Sequence, residues 1–177
     1  MFSFQPEEKK AQKVPYFEDV SRDEGWQGYH TTKSIKTLQS EIGDAIGRLG
    51  GVVSGFQRGT FQIETQSREG FQVHYSIENP NGQLVPGRLD IAALPVRDRH
   101  NDQKRDKSLR MALYMLRNAL DGMWFMQQLS PGYAALMPWM LADEGKTISQ
   151  LWSESPVMSR LLPPGDGDFI EAEVEEA

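Results

Sequence analysis

The amino-acid sequence predicts an α+β fold: an N-terminal helix, an antiparallel meander of three or four strands, a long helix after the sheet, and small C-terminal helices. Three stretches of different hydrophobic period predict this order. Apolar residues recur every three or four positions before Gly50, alternate with polar residues between about 53 and 93, and return to helical spacing from about Asp102. A sheet with one apolar face buries that face under helices, which gives a layered body.

The first predicted helix has one apolar face, formed by Ile35, Leu38, Ile42, Ile46 and Leu49. The hydroxyl of Thr31 or Thr32 is predicted to cap its start, because an N-cap oxygen accepts a backbone N–H of the first turn. Gly50 and Gly51 are predicted to end it, because glycine tolerates the left-handed conformation that follows many helices.

The strands are predicted from alternation of apolar and polar residues. A first short strand is predicted to contain Val53 and Phe56, and the alternating stretches are residues 61–65, residues 71–77 and residues 88–93. Turn-forming residues separate them at Arg58-Gly59, at 67–70 and at 79–82, and Pro86-Gly87 interrupts the approach to the last stretch. Alternation with a period of two predicts a sheet with one buried face and one solvated face.

The long helix is predicted to have Asp102 or Asp106 as its cap and to end at Ser130-Pro131-Gly132. Its broad apolar face contains Leu109, Ala112, Leu113, Leu116, Ala119, Leu120, Met123 and Phe125. Short helices are predicted at 133–141 and 147–153. The whole pattern predicts a polar N-terminal arm at residues 1–31, a single α+β domain at residues 32–162 and an acidic disordered tail at residues 163–177.

Composition excludes several classes of function. The 177 residues include no cysteine, which excludes disulfides, thiolate zinc sites and cysteine nucleophiles. His30, His74 and His100 are too scattered for metal-ligand spacing, and no glycine-rich phosphate loop is present. We therefore predict no catalytic residue, no metal site and no cofactor. The absence of a long apolar run and of a signal-peptide pattern predicts a cytoplasmic protein with no membrane partner.

The charge distribution points to a binding surface. The net charge of −6 is matched by the six uncompensated carboxylates of residues 165–177, so the remaining residues balance to zero. Basic side chains cluster where the last predicted strand leads into the long helix. The candidate nucleic-acid-binding residues there are Arg97, Arg99, His100, Lys104, Arg105, Lys107 and Arg110. Lysine and arginine on one face neutralise phosphates, which predicts nucleic acid as the partner.

Other side chains extend or weaken that prediction. The polar sheet face could add Arg58, Arg68, Arg88 and His74, and the helical spacing of Lys107, Arg110 and Arg117 allows them to share a stripe. The competing interpretation is a solvated loop whose cations pair with Asp98, Asp102 and Asp106.

The predicted function is that of a nucleic-acid-binding accessory protein, with single-stranded DNA binding or annealing in a phage or mobile element as the specific form. The acidic tail resembles those of bacterial and phage single-stranded-DNA-binding and recombination proteins. Such a tail can compete for the basic surface or bind a protein partner, and the alternative interpretation is a solubilising tail with no partner.

The order of helix, three strands and helix resembles the double-stranded-RNA-binding domain. In that family the second helix begins with basic residues, as Lys104, Arg105 and Lys107 do here. The resemblance implies contacts to nucleic acid from the basic start of the second helix. The chain differs from the family in lacking a small, glycine-rich approach to that helix and in a predicted extra strand.

Two alternatives come from other classes of protein. Six methionines and three tryptophans between 111 and 152 are typical of helices that bury a partner, which predicts a non-enzymatic interaction module that forms a homo-oligomer. A metal-dependent nuclease is the third interpretation, with Glu64, Glu78 and Asp90 on neighbouring strands as ligands of Mg²⁺.

Overall fold

The computed structural model describes residues 14–63, 65–79, 81–142 and 145–154. Its regular elements in chain order are α1 (Ile35–Arg48), β1 (Gly51–Ile63), β2 (Gln66–Glu78), β3 (Leu84–Ala92), α2 (Asp102–Leu129) and α3 (Ile148–Glu154). Short 3₁₀ turns occur at Phe17–Asp19, Arg22–Glu24 and Met137–Trp139. The predicted α+β order is confirmed, with three strands in the sheet.

The sheet is antiparallel, with the order β1-β2-β3. Val73 on β2 pairs with Phe56 on β1 and with Leu89 on β3, so these three side chains share one face. Both long helices cover that face, because their buried residues belong to the same core as those of the strands. Their contributions to it are Leu38, Ile42, Ile46, Leu109, Leu113 and Leu120.

Two of the predicted turns are wrong. Arg58-Gly59 lies inside β1 and residues 67–70 lie inside β2, where Gly59 pairs with Gly70. The chain reverses between Ile63 and Gln66 instead, and β1 is one strand with a bulge near Ser54. Pro86-Gly87 is likewise incorporated into β3. Continuous pairing between strands satisfies the backbone polar groups, which outweighs a local preference for turns. The predicted turn at 79–82 is confirmed by the hydrogen bond from the Gly82 N–H to the Asn79 carbonyl.

The hairpin of β1 and β2 extends beyond the third strand. β3 pairs with β2 only from Gly70 to Glu78, whereas β1 pairs with β2 as far as Ile63 and Gln66. Residues 60–63 and 66–69 therefore form a two-stranded ribbon roughly 13 Å long. We call this part of the hairpin the ribbon.

The helix caps differ from those predicted. Ser34, rather than Thr31 or Thr32, accepts the Thr37 N–H at 3.1 Å at the start of α1. Asn101 accepts the Lys104 N–H at 3.1 Å at the start of α2, in place of the aspartates. Gly50, with a φ of 92°, ends α1 as predicted.

The described part of the N-terminal arm packs on the body. Phe17 and Val20 are buried with Leu94 and Met111 in a second apolar cluster, and the Phe17 ring stacks on Tyr29 with centroids 5.1 Å apart. Residues 1–13 and the predicted acidic tail lie outside the described residues. Among the described helices, none is both long enough and apolar enough to cross a membrane.

Tyr75 links the sheet to the segment that follows α2. Its side chain is 1% exposed and its hydroxyl donates to the Leu136 carbonyl at 3.2 Å. Burial raises the pKa of Tyr75 from 10.0 to about 12. The folded state holds this proton more tightly than the unfolded state does. The stability that the raised pKa of Tyr75 contributes is therefore fully present below pH 10 and is lost as the pH rises toward 12.

We expect this loss to distinguish the wild type from Tyr75→Phe. Between pH 10 and 12 the free energy of unfolding of the wild type should fall by about 1.4 kcal/mol per pH unit more than that of the variant. At pH 8 the variant should be less stable by about 1 kcal/mol, since the Leu136 carbonyl loses its donor. Urea denaturation across this pH range measures both effects. An identical pH dependence in the two proteins would contradict the assignment.

Candidate nucleic-acid interface

A groove of about 500 Å³ lies between the ribbon, the segment at residues 93–99 and the first turns of α2. Arginines are its main charged side chains: Arg68, Arg97, Arg99 and Arg105. Glu69 is the one carboxylate among the described residues that line it. Four cations and one anion give the lining a formal charge of +3, in a chain whose net charge is −6.

Arg68 is held rigidly by neutral partners. Its Nε donates to the Ala93 carbonyl at 2.8 Å and its Nη2 to the Ala92 carbonyl at 3.0 Å. Partial burial lowers the pKa of Arg68, but an arginine stays charged at neutral pH. No carboxylate pairs with this guanidinium among the described residues, so its positive charge remains available in the groove.

Arg105 connects α2 to the ribbon through Glu69. The Glu69 carboxylate contacts Arg105 and also lies 3.3 Å from Arg58 on β1. Asp102, which is almost fully exposed, lies 3.1 Å from the other nitrogen of Arg105. This chain of ion pairs fixes the ribbon against the start of the helix, and it partly neutralises Arg105.

The N-terminal arm holds Arg97 on the opposite wall. The Asp19 carboxylate accepts from both terminal nitrogens of Arg97, and the guanidinium lies 4.9 Å from the centre of the Tyr16 ring. The hydrogen bond to Asp19 raises the pKa of Arg97. The Arg97 N–H also donates to Glu18 at 3.3 Å, so two side chains of the arm position this residue.

Glu18 is the acidic partner of Lys104. The Lys104 Nζ lies 3.5 Å from the Glu18 carboxylate. Burial acts to raise the pKa of Glu18, but backbone hydrogen bonds and the charge of Lys104 outweigh it, and the pKa lies below its ordinary value. The contact that the arm makes here is therefore present at neutral pH and is weakened as the pH falls through that lowered pKa.

The structure brings three of the seven predicted residues into the groove: Arg97, Arg99 and Arg105. Arg99 is exposed, and among the described residues its side chain has no acidic partner. His100 and Lys107 are exposed outside the lining, also without an acidic partner in the described ranges. Lys104 faces the arm.

Arg110 and Arg117 are committed to other contacts. Arg110 lies 2.8 Å from Asp106. Arg117 lies 3.4 Å from Glu41 and 3.7 Å from Asp121. The stripe predicted from Lys107, Arg110 and Arg117 is therefore largely neutralised by carboxylates of α1 and α2.

The sequence does not predict most of the groove's lining, and among the charged and aromatic lining residues it does not single out Tyr16 or Glu69. Neither has a charge pattern that separates it from its neighbours, and Arg68 is predicted only as a possible addition from the polar sheet face. Arg68 reaches carbonyls 24 and 25 residues further along the chain, a contact that depends on strand pairing. The +3 charge of the groove therefore follows from the fold as much as from the run of basic residues.

The carboxylates of the nuclease interpretation are not assembled. Glu78 pairs with Leu84 whereas Asp90 pairs with Gln72, which places the two acids about 20 Å apart along the sheet. Asp90 is also held by Arg88 at 3.0 Å. Glu64 lies outside the described residues, and the residues that are described include no group of three or more metal-ligating side chains.

No protein-family model matches the chain, and neither a curated protein nor a solved structure shows significant similarity to it.

Proposed function

We propose that the protein is a nucleic-acid-binding accessory protein that holds backbone phosphates in the groove. The observation that carries this proposal is the convergence of four arginines from the ribbon, the 93–99 segment and α2 on one groove, with a single carboxylate among the described residues that line it. Guanidinium groups match phosphate oxygens in charge and in hydrogen-bond geometry. Arg68 and Arg99 offer charge that no described carboxylate neutralises, and they would make the first contacts.

The paired arginines contribute as well. Exposed ion pairs such as Arg97 with Asp19 are worth little, so phosphate can replace the carboxylate at small cost. Thr60, Gln66 and Ser67 on the ribbon wall supply neutral donors and acceptors for phosphate and sugar oxygens.

The size of the groove favours a single strand. Its volume of about 500 Å³ falls within the range of pockets that hold small ligands, roughly 300–1,000 Å³. One flexible strand enters such a groove, whereas a duplex would contact only its rim. We therefore propose single-stranded nucleic acid as the preferred partner, in the cytoplasm, with binding or annealing of strands as the activity.

A titration at two salt concentrations tests this function. We expect fluorescence anisotropy to show binding of labelled single strands at ~50 mM salt and weaker binding at ~200 mM, with a log–log slope of about −2 to −3 for three or four phosphate contacts on a single strand. Labelled duplexes of DNA and RNA should bind less tightly. Removal of residues 165–177, which carry six carboxylates and no basic residue, should strengthen binding. The proposed function fails if neither the full chain nor the shortened one binds any of these probes at the lower salt.

A further inference from the structure

The second half of α2 and the segment after it expose apolar side chains within a stretch of sequence that has no charged residue. Residues 122–142 include no Asp, Glu, Lys or Arg. Much of this stretch is nevertheless exposed: Phe125 is 56%, Met126 47% and Leu129 77% accessible, and Tyr133 and Met137 are also exposed. We call these five side chains the uncharged surface. Exposed apolar side chains on this scale mark a site of association.

Met126 and Leu129 of the uncharged surface continue a stripe of α2 that the arm covers at its start. Met111, Met115, Gly122, Met126 and Leu129 recur at spacings that place them on the side of α2 opposite the sheet. At the start of this stripe Met111 is buried by Phe17 and Val20 of the arm. Among the described residues, the hydrogen bond of the arm that lies farthest along α2 joins Gln27 to Asn118.

Beyond Asn118 the same stripe has no cover among the described residues. Gly122 lies where the stripe changes from covered to exposed. It is exposed, and a Cβ built on it would meet no atom within 4 Å. A glycine inside a helix costs about 1 kcal/mol relative to alanine, and it allows another backbone to approach closely. A second helix could therefore cross α2 near this residue.

We propose that two copies of this chain associate through the uncharged surface, with their α2 helices crossing between Gly122 and Leu129. A second copy fits the chemistry because it presents the same methionine, leucine and aromatic side chains and brings no unpaired charge into the contact. Nucleic acid or a charged peptide would find no opposite charge on these five side chains. Covering the five side chains in both copies removes roughly 1,000 Å² from solvent, which reaches the lower bound for a specific interface.

The geometry of α2 gives such a dimer a definite arrangement. The groove lies at the start of α2 and the contact lies about 23 residues further along, or roughly 35 Å. An antiparallel crossing would place the two grooves up to ~70 Å apart, at opposite ends of the dimer. Each copy would then hold its own strand. This association does not depend on nucleic-acid binding, and either property can fail without the other.

Sedimentation equilibrium of the full chain tests the proposal. For the wild-type chain we expect twice the monomer mass at ~50 µM. The double variant Met126→Glu with Leu129→Glu should be a monomer. The matched control Val52→Glu with Leu84→Glu should remain a dimer. The control residues are exposed apolar side chains of the sheet, 71% and 72% accessible. A wild-type chain that stays monomeric at this concentration would overturn the proposal, as would a dimer that survives the Met126/Leu129 change.

A second measurement does not depend on the folding of a doubly charged variant. The chain has no cysteine, so a single introduced cysteine takes a pyrene label at one position. We expect excimer emission from Gln128→Cys and none from Lys36→Cys on α1. A doubled mass without excimer emission at position 128 would place the contact elsewhere and would also overturn the proposal.

Discussion

Gly70→Ala is expected to lower the free energy of unfolding by about 3 kcal/mol or more, at the upper end of the cost of overpacking. A Cβ at Gly70 would lie 2.9 Å from the Ala92 Cα and 2.7 Å from the Phe61 ring, and it would overlap the Ile91 carbonyl oxygen. The Phe61 ring can rotate away, but the other two atoms belong to the backbone of β3. The overlap of the added Cβ with the β3 backbone can therefore be removed only if the pairing of β2 with β3 opens where the ribbon begins.

Gly59→Ala is the matched control for this prediction. Gly59 is the direct cross-strand partner of Gly70, and a Cβ there would meet no atom within 4 Å. We expect this control to be unchanged or more stable by up to about 1 kcal/mol, because alanine restricts the unfolded chain. Thermal and urea denaturation of both variants measure the difference. Equal stabilities for the two variants would show that Gly70 does not contact the β3 backbone.

Arg97→Gln combined with Arg99→Gln is expected to weaken binding of single-stranded nucleic acid by roughly 100-fold. A hydrogen bond to a charged group is worth about 1.5–3 kcal/mol, so each lost arginine contact should cost at least a factor of ~10. The log–log dependence of affinity on salt should become shallower by about 1.4, since single strands contribute ~0.7 per phosphate contact. Anisotropy titrations at several salt concentrations provide both numbers.

The control for this variant removes the same charge elsewhere. Arg22→Gln with Lys36→Gln changes two exposed cations that do not line the groove. We expect it to retain most of the affinity and nearly the full salt dependence. Equal losses in the two double variants would mean that binding responds to net charge alone, and the groove would then have no special role.

The order of elements could be predicted from the sequence because each period reflects one buried face. Leu38, Ile42 and Ile46 mark the helix face, and Val73 and Tyr75 mark the strand face, without knowledge of any distant contact. The turn at Arg58-Gly59 was predicted wrongly because its residues favour a turn locally. Pairing of this part of β1 with β2 across the hairpin decides the outcome, and local propensity does not contain that information.

The candidate site could be predicted only in part for the same reason. Arg97, Arg99 and Arg105 are visible as a basic run next to one another in the chain. The neutralisation of Arg97 by Asp19 and of Arg105 by Glu69 depends on residues 78 and 36 positions away, which no local pattern reveals. The predicted pairing with Asp98, Asp102 and Asp106 covers only some of these contacts.

The packing of the arm has a practical consequence for work on shortened proteins. The polar composition of residues 1–31 suggests that a shortened protein could begin at residue 32. The residues before position 32, however, bury Met111 and supply the acidic partners of Arg97 and Lys104. A fragment that begins at residue 32 would expose an apolar patch on α2 and release both cations from their carboxylates. Such a fragment would aggregate more readily and bind polyanions with less selectivity than the intact chain. Expression and screening should therefore retain the residues from at least Val14 onward.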